Sequence, residues 1–283
     1  MSGISTFYQL TTEQGRISLM NSEPLILTFA ALFGAIVGSF LNVVILRLPH
    51  PEESIVFPAS HCPKCQAGLR WYENIPLLSY VFLGGRCSHC RCRISLQYPS
   101  VEAAMALLST AVVYRFGFTI TGGGFFLFSA ALLVIIFIDL QHQIIPDMIS
   151  LPGIMAGFIL SFFSPLISRL DSLIGILCGG GILYGIALLY FFLRKQEGMG
   201  GGDIKLLAMI GAFLGWQALP FVIFASSLSG ALVGILVMVI ERQEGLSTRI
   251  PFGPFLSLAA LMYMLFSQEI STLYLSYLDG SLF

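Results

Sequence analysis

LLVIIFIDLQHQIIPD, residues 132–147, decides the fold. Seven consecutive apolar residues end on Asp139, and a second acid, Asp147, follows eight positions later behind Pro146. The stretch reads as the end of one membrane span and the start of the next, because a carboxylate embedded in a greasy run is costly and is kept for a reason. Outward from it, apolar runs of spanning length cover roughly 24–46, 100–117, 123–139, 148–168, 171–193, 204–218, 219–241 and 254–275. The expected fold is all-α, a polytopic membrane helix bundle of about eight transmembrane helices with a small metal-bound insert. The break between the sixth and seventh spans rests on LGWQALP, 214–220, which reads either as a turn or as a kink in one re-entrant hairpin.

Composition agrees. Of 283 residues 56% are hydrophobic and only 10% charged, against about 25% charged in a soluble domain. The net charge of −1 supplies no basic field for nucleic acid, so charge informs only through placement. With eight spans, Arg47, Lys64, Arg70, Arg86, Arg91, Arg93, Arg194, Lys195, Lys205, Arg242 and Arg249 fall on one side, and only Arg16, Arg115 and Arg169 on the other. The richer side is cytoplasmic and both termini lie outside. The organisation is a non-cytoplasmic segment 1–23, a first transmembrane helix 24–46, a cytoplasmic insert 47–99 and a helix bundle 100–283. Residues 1–23 lack the basic start of a cleaved signal peptide. No fixed-period repeat is visible.

Five of the six cysteines lie in the insert, in HCPKC (Cys62, Cys65) and CSHCRC (Cys87, Cys90, Cys92), with 21 residues between the two C-x-x-C pairs. Two thiolate pairs on tight turns can close a tetrahedron around zinc, and a cytoplasmic location disfavours disulfides. The expected ligands are Cys62, Cys65, Cys87 and Cys90; Cys92 could replace Cys90, and His61 and His89 are neighbours of the site. Four protein ligands leave no open position, so the metal is read as structural. Cys178, mid-span, reads as a small packing residue.

The acids carry the chemistry. Asp147 reads either as the cap of the fourth span or as a catalytic contact, whereas Asp139 has no capping role. Asp203 follows the glycines of GMGGGD, with Gly200 and Gly202 giving close backbone approach, and taken alone it could be a helix cap. The topology puts Asp139 and Asp203 at one depth. Two carboxyls held close share a proton, so one acts as base and the other as acid, the arrangement of an aspartyl protease. A helix N-terminus at Asp203 favours its charged form, making Asp203 the expected base and Asp139 the acid.

The segments GSFLNVVILRLP (38–49), LRWYENIPLLSY (69–80), GRCSHCRCRIS (85–95), IDLQHQIIPD (138–147), GMGGGDIKLLAMIGAFLGW (198–216) and PFGPFLSLAA (251–260) resemble the type IV prepilin peptidases, leader peptidase/N-methyltransferases of the GxGD membrane aspartyl protease class. The resemblance implies an inner-membrane enzyme that cleaves the basic leader of prepilins or type II secretion pseudopilins and methylates the new N-terminus with S-adenosylmethionine; a peptidase without methyl transfer is the alternative. It assigns catalysis to Asp139 and Asp203 and the metal to the four named cysteines. Asn42, Arg47, Glu73, Gly85 and Glu102 lie in matching segments and are candidate methyl-transfer or substrate contacts, while Ser100 departs from the apolar residue frequent in the family. A transporter or a zinc-anchored scaffold explains less, since no matched halves are visible and a scaffold leaves Asp139 without a role.

Overall fold

The computed structural model describes residues 23–50, 52, 54, 56–57, 60–195, 200–241 and 251–278. Residues 1–22, Arg242, Arg249 and the start of the GMGGGD stretch lie outside that set. Among the described residues nine α-helices run in chain order: α1 (Glu23–Arg47), α2 (Leu78–Phe82), α3 (Gln97–Phe116), α4 (Ile120–His142), α5 (Asp147–Leu160), α6 (Arg169–Arg194), α7 (Gly201–Leu214), α8 (Leu219–Glu241) and α9 (Gly253–Leu278). Short 3₁₀ turns occupy Trp71–Asn74 and Trp216–Ala218. Among the described residues there is no β-strand, only two isolated antiparallel bridges.

Helices α4 and α7 form the centre. Leu132, Ile135 and Phe128 of α4 pack with Leu206, Leu207, Met209 and Ile210 of α7 and Leu256 of α9 in one buried cluster. A second cluster joins Ile45 of α1, Val101 and Met105 of α3 and Leu133 and Ile138 of α4. The outer helices α6 and α8 instead expose Leu177, Leu189, Phe192, Leu232 and Val239. In water such a surface would be an aggregation patch; in a bilayer it is the lipid contact. Where α6 crosses α7, Gly175 and Gly211 meet backbone to backbone, and Ser172 Oγ donates to the Ala212 carbonyl at 2.8 Å. Small residues that let two helices touch, fixed by one interhelical hydrogen bond, are how apolar helices associate without a hydrophobic driving force.

Helices stand at all eight expected positions, but among the described residues four have the length and apolarity of an independent span: Pro24–Arg47, Ile120–His142, Arg169–Arg194 and Trp216–Ile240. The run expected over 148–168 stops as a helix at Leu160, where the amides of Ser161, Phe162 and Phe163 bond back to carbonyls three residues earlier and Pro165 follows. Helices α5 and α7 have 14 residues each, about 21 Å of rise, short of the roughly 30 Å hydrocarbon core. The break after α7 is a true turn: Gly215 adopts φ +78, a conformation open to glycine, before the 3₁₀ turn begins.

The insert between α1 and α3 holds a repeat that the sequence hid. Bridges pair His61 with Gly68 and Arg86 with Arg93, a constant offset of 25 residues. Cys62 N donates to Ala67 O and Gln66 N to Cys62 O; Cys87 N donates to Cys92 O and Arg91 N to Cys87 O. Gln66 and Arg91 both take left-handed backbone, φ 57 and 58. Two copies of one thiol-bearing turn therefore face each other, with Cys92 standing where the first copy has Ala67.

Candidate active site and metal-binding cluster

One end of the bundle gathers the acids. Asp139 lies in the last turn of α4, 5% exposed, and its Oδ2 accepts the N–H of Gly253, the first residue of α9, at 3.0 Å. The positive end of α9 thus points at this carboxylate. Asp203 lies in the first turn of α7, half-buried, close enough to Asp139 for their charges to act directly on one another. No hydrogen bond reaches the Asp203 carboxyl from the described residues.

Asp203 is not the cap of its helix. That position belongs to Gly200, whose carbonyl receives the Asp203 N–H at 3.2 Å. Gly202 lies against Ile145, where a Cβ would approach the Ile145 Cβ at 2.8 Å. Gly253 is tighter: a Cβ there would lie 2.6 Å from Asp139 Oδ2 and 3.2 Å from Ile145 Cδ1. The loop residue Ile145 therefore wedges between the two glycines that flank the two acids. Neither Ile145 nor Gly253 was singled out by sequence reasoning, although Gly253 sits inside the quoted PFGPF stretch.

Asp147 stands apart. Pro146 occupies the cap position of α5, and Asp147, its first residue, makes no capping bond. Both its carboxylate oxygens instead accept Lys205 Nζ at 2.7 Å, across from the first turn of α7. Its charge is matched by Lys205, whereas Asp203 has the charge of Asp139 for a neighbour. Lys205, two residues past Asp203, was read only as a topological charge.

In the insert, Cys62, Cys65, Cys87 and Cys90 place their sulfurs within 4.8 Å of one another, a group that could hold a metal ion. Cys62 and Cys90 are 3.9 Å apart, and Cys65 and Cys87 4.0 Å. Cys92 lies outside the group yet 3.7 Å from Cys62. The N–H of Cys65 draws the Cys62 thiol down to about 6. Cys65 is pushed up to about 11: its bond from the Ala67 amide acts downward, and desolvation with the Cys62, Cys90 and Cys87 sulfurs outweighs it. The Cys92 amide lowers Cys90, and the Cys90 thiol with desolvation raises Cys92 to about 12. Of the neighbouring histidines, His89 Nδ1 lies 3.0 Å from Ser88 Oγ.

The remaining candidates divide by place. Arg47 Nη1 donates to Ser54 O at 2.9 Å. Glu73 accepts the Arg70 N–H, which holds its carboxyl below the usual range. Gly85 has φ +66 against the Tyr80 ring, and Ser100 is exposed and bonds back to Leu96 O. Asn42 and Glu102 are buried between α1 and α3, far along the chain from the paired acids.

Two acids at one end of a membrane-type helix bundle, with a tetracysteine cluster in the insert after the first helix, are an arrangement that a membrane-embedded hydrolase can use. The description "Bacterial Peptidase A24 N-terminal domain" matches residues 32–116, and "Type IV leader peptidase family" matches residues 126–235. Proteins named prepilin leader peptidase/N-methyltransferase are similar over nearly the whole chain. The one from Pseudomonas aeruginosa is 40% identical, covering 92% of this chain and 98% of its own. Those from Aeromonas hydrophila and Burkholderia pseudomallei are 38% and 37% identical, covering 87% and 82% of this chain and 92% and 82% of their own. No solved structure matches. The chain belongs to the type IV leader peptidase family.

Proposed function

We propose that this protein is a membrane aspartyl endopeptidase that removes the leader from type IV prepilins or type II secretion pseudopilins and methylates the exposed N-terminal amine. The observation that carries the proteolytic half is the meeting of Asp139, at the end of α4, with Asp203, at the start of α7. The sequence favoured Asp203 as base; the geometry favours the opposite assignment. Asp203 stands in the first turn of α7 and Asp139, at the end of α4, faces the first residue of α9, but among the described residues only Asp139 receives a backbone donor, Gly253 N–H, which supports its anionic form. Asp139 then takes a proton from water as the oxygen attacks the scissile carbonyl, and protonated Asp203 donates to the carbonyl oxygen. When the intermediate collapses, the proton on Asp139 passes to the leaving amine as the C–N bond breaks, Asp203 takes back the proton it gave to the carbonyl oxygen, and the pair is restored. Because the two share one proton, their titration belongs to the pair.

The four thiols fit zinc. A tetrahedral site with Zn–S of about 2.3 Å requires sulfurs roughly 3.8 Å apart, close to the separations of the paired cysteines. Cys62, Cys65, Cys87 and Cys90 would hold the ion with no open position, tying the two turns of the insert together; its chemistry there is structural. S-adenosylmethionine, when bound, supplies the methyl group for the new amine. The basic residues of the insert support its placement on the cytoplasmic side of the bacterial inner membrane. Incubation of the purified protein with a prepilin peptide and S-adenosylmethionine tests both halves. Mass measurement should find leader loss and one added methyl; an intact peptide would refute the proteolytic reading.

A further inference from the structure

The insert carries an apolar face that its own fold leaves uncovered. Helix α2 spans only Leu78–Phe82, and its residues divide by side. The Tyr80 ring lies against Gly85, and the amides of Gly85 and Arg86 bond back to the carbonyls of Tyr80 and Leu83, so the helix is fixed to the second thiol-bearing turn. Leu78, Val81 and Phe82, spaced i, i+3 and i+4, share the other side and are 54%, 73% and 84% exposed. The 3₁₀ turn before them holds Trp71, 81% exposed, and is tied to the same body because Glu73 accepts both the Arg70 amide and the Ser88 hydroxyl. One exposed leucine is ordinary, but an apolar helix face and a tryptophan left bare on one small body ask for a partner.

The charge around this face is of one sign. Residues 60–99 hold Lys64, Arg70, Arg86, Arg91 and Arg93, all exposed, and a single acid, Glu73, which is buried. A divalent ion held by four thiolates would add two negative charges and still leave the segment cationic. The segment leaves α1 at Arg47 and enters α3 at Gln97, so membrane helices tether it at both ends. The His50 ring meets the His142 ring edge-on, centroids 5.7 Å apart, which puts that tether at the end of the bundle where Asp139 lies. The lipid-facing surface runs up to it, since Phe40 and Leu46 of α1 and Leu96, the residue before α3, are exposed.

We propose that the insert lies on the bilayer leaflet at its own end of the bundle, with the Leu78, Val81 and Phe82 face and Trp71 in the headgroup layer and the cations over anionic phospholipid. Apolar and aromatic side chains beside basic ones are the combination that binds at that boundary. The two tethers keep the face within reach of lipid at all times, whereas a protein partner would have to arrive and bring acids with it. In this posture the thiol cluster sits at membrane level, beside the end that carries the paired acids. The inference concerns where the insert rests and stands whether or not methyl transfer occurs.

The chain has two tryptophans, Trp71 and Trp216, which makes the contact measurable. Full-length Trp216→Phe protein is reconstituted into bilayers of phosphatidylglycerol and a phospholipid brominated close to its headgroup, and Trp71 fluorescence is read with acrylamide as the aqueous quencher. Trp71 should be quenched by the bromine and protected from acrylamide. Quenching by acrylamide alone would show the face in water, and protection from both would show a protein cover; either overturns the proposal. Val81→Ser combined with Phe82→Ser should move the insertion equilibrium of Trp71 toward water by at least about tenfold, the loss of two apolar side chains from the headgroup layer. Unchanged metal content checks that this variant is folded, and unchanged bromine quenching would overturn the role given to α2. Replacing phosphatidylglycerol by phosphatidylcholine should move Trp71 the same way, and equal quenching in the two lipids would overturn the role given to the cations. Should Trp216→Phe fail to fold, the difference between wild type and Trp71→Phe gives the same quantities.

Discussion

Gly253→Ala tests the proposed geometry most directly, because it adds one methyl group at the contact between α9 and Asp139. The new Cβ would lie 2.6 Å from Asp139 Oδ2, inside van der Waals contact, so the carboxylate must rotate away and its 3.0 Å hydrogen bond from the residue 253 amide is lost. The atom in the way is the end of a side chain, and alanine suits a helix better than glycine, so the fold should tolerate the change and the melting temperature should hold. What goes is a hydrogen bond to a charged acceptor, about 1.5–3 kcal/mol. If that contact holds the Asp139 anion through the transition state, kcat for leader cleavage falls roughly 10- to 150-fold. The assay is cleavage of a prepilin peptide by the purified protein in lipid, with kcat and KM separated. Turnover within twofold of wild type would refute the role given to Gly253; a lost activity that tracks a lost fold would refute the claim that the methyl acts locally.

Other expectations follow from the same geometry. Asp139→Asn and Asp203→Asn should each reduce cleavage by at least about a thousandfold while metal content stays at the wild-type level; a variant that still turns over removes that residue from the pair. Asp147→Ala should be milder than either, and Lys205→Met should change stability by under about 1 kcal/mol, as expected for a solvent-exposed ion pair; unfolding by either would show that the rim contact matters more than its exposure implies. Cys62→Ser should abolish metal binding and impair methylation more than cleavage, as read by metal analysis and product mass, whereas Cys92→Ser should retain one metal per chain. Retention of metal by the first, or its loss in the second, would reassign the ligand set.

The helices were legible because a membrane bundle writes each span as a continuous apolar run, and the cysteine spacing announced its own cluster. Helix ends were less legible: Pro165 lies inside the apolar run expected over 148–168, but α5 closes at Leu160, five residues before it, through backbone bonds from Ser161, Phe162 and Phe163 that leave no mark in the side chains. Asp139 stood out against its apolar run, but Gly253 did not, because a glycine amide acting as donor leaves no side-chain signature. Asp147 looked like a cap because position is readable and partnership is not; Lys205, which takes up its charge, lies 58 residues away along the chain. The doubled turn of the insert escaped notice because its repeat lies in backbone hydrogen bonds, and only the cysteines are kept between the copies.

The shortness of α7 has a consequence for the lipid. Trp216, just past its far end, is 45% exposed and its indole N–H binds Asp171 at the base of α6, the placing of an interfacial anchor. A helix of 14 residues rises about 21 Å, so with Trp216 at one headgroup level the first turn of α7, and Asp203 with it, would stop short of the far boundary of a hydrocarbon core of roughly 30 Å. Hydrophobic mismatch of that kind would thin the adjoining leaflet and bring water toward Asp203, so cleavage would depend on the acyl-chain length of the surrounding lipid.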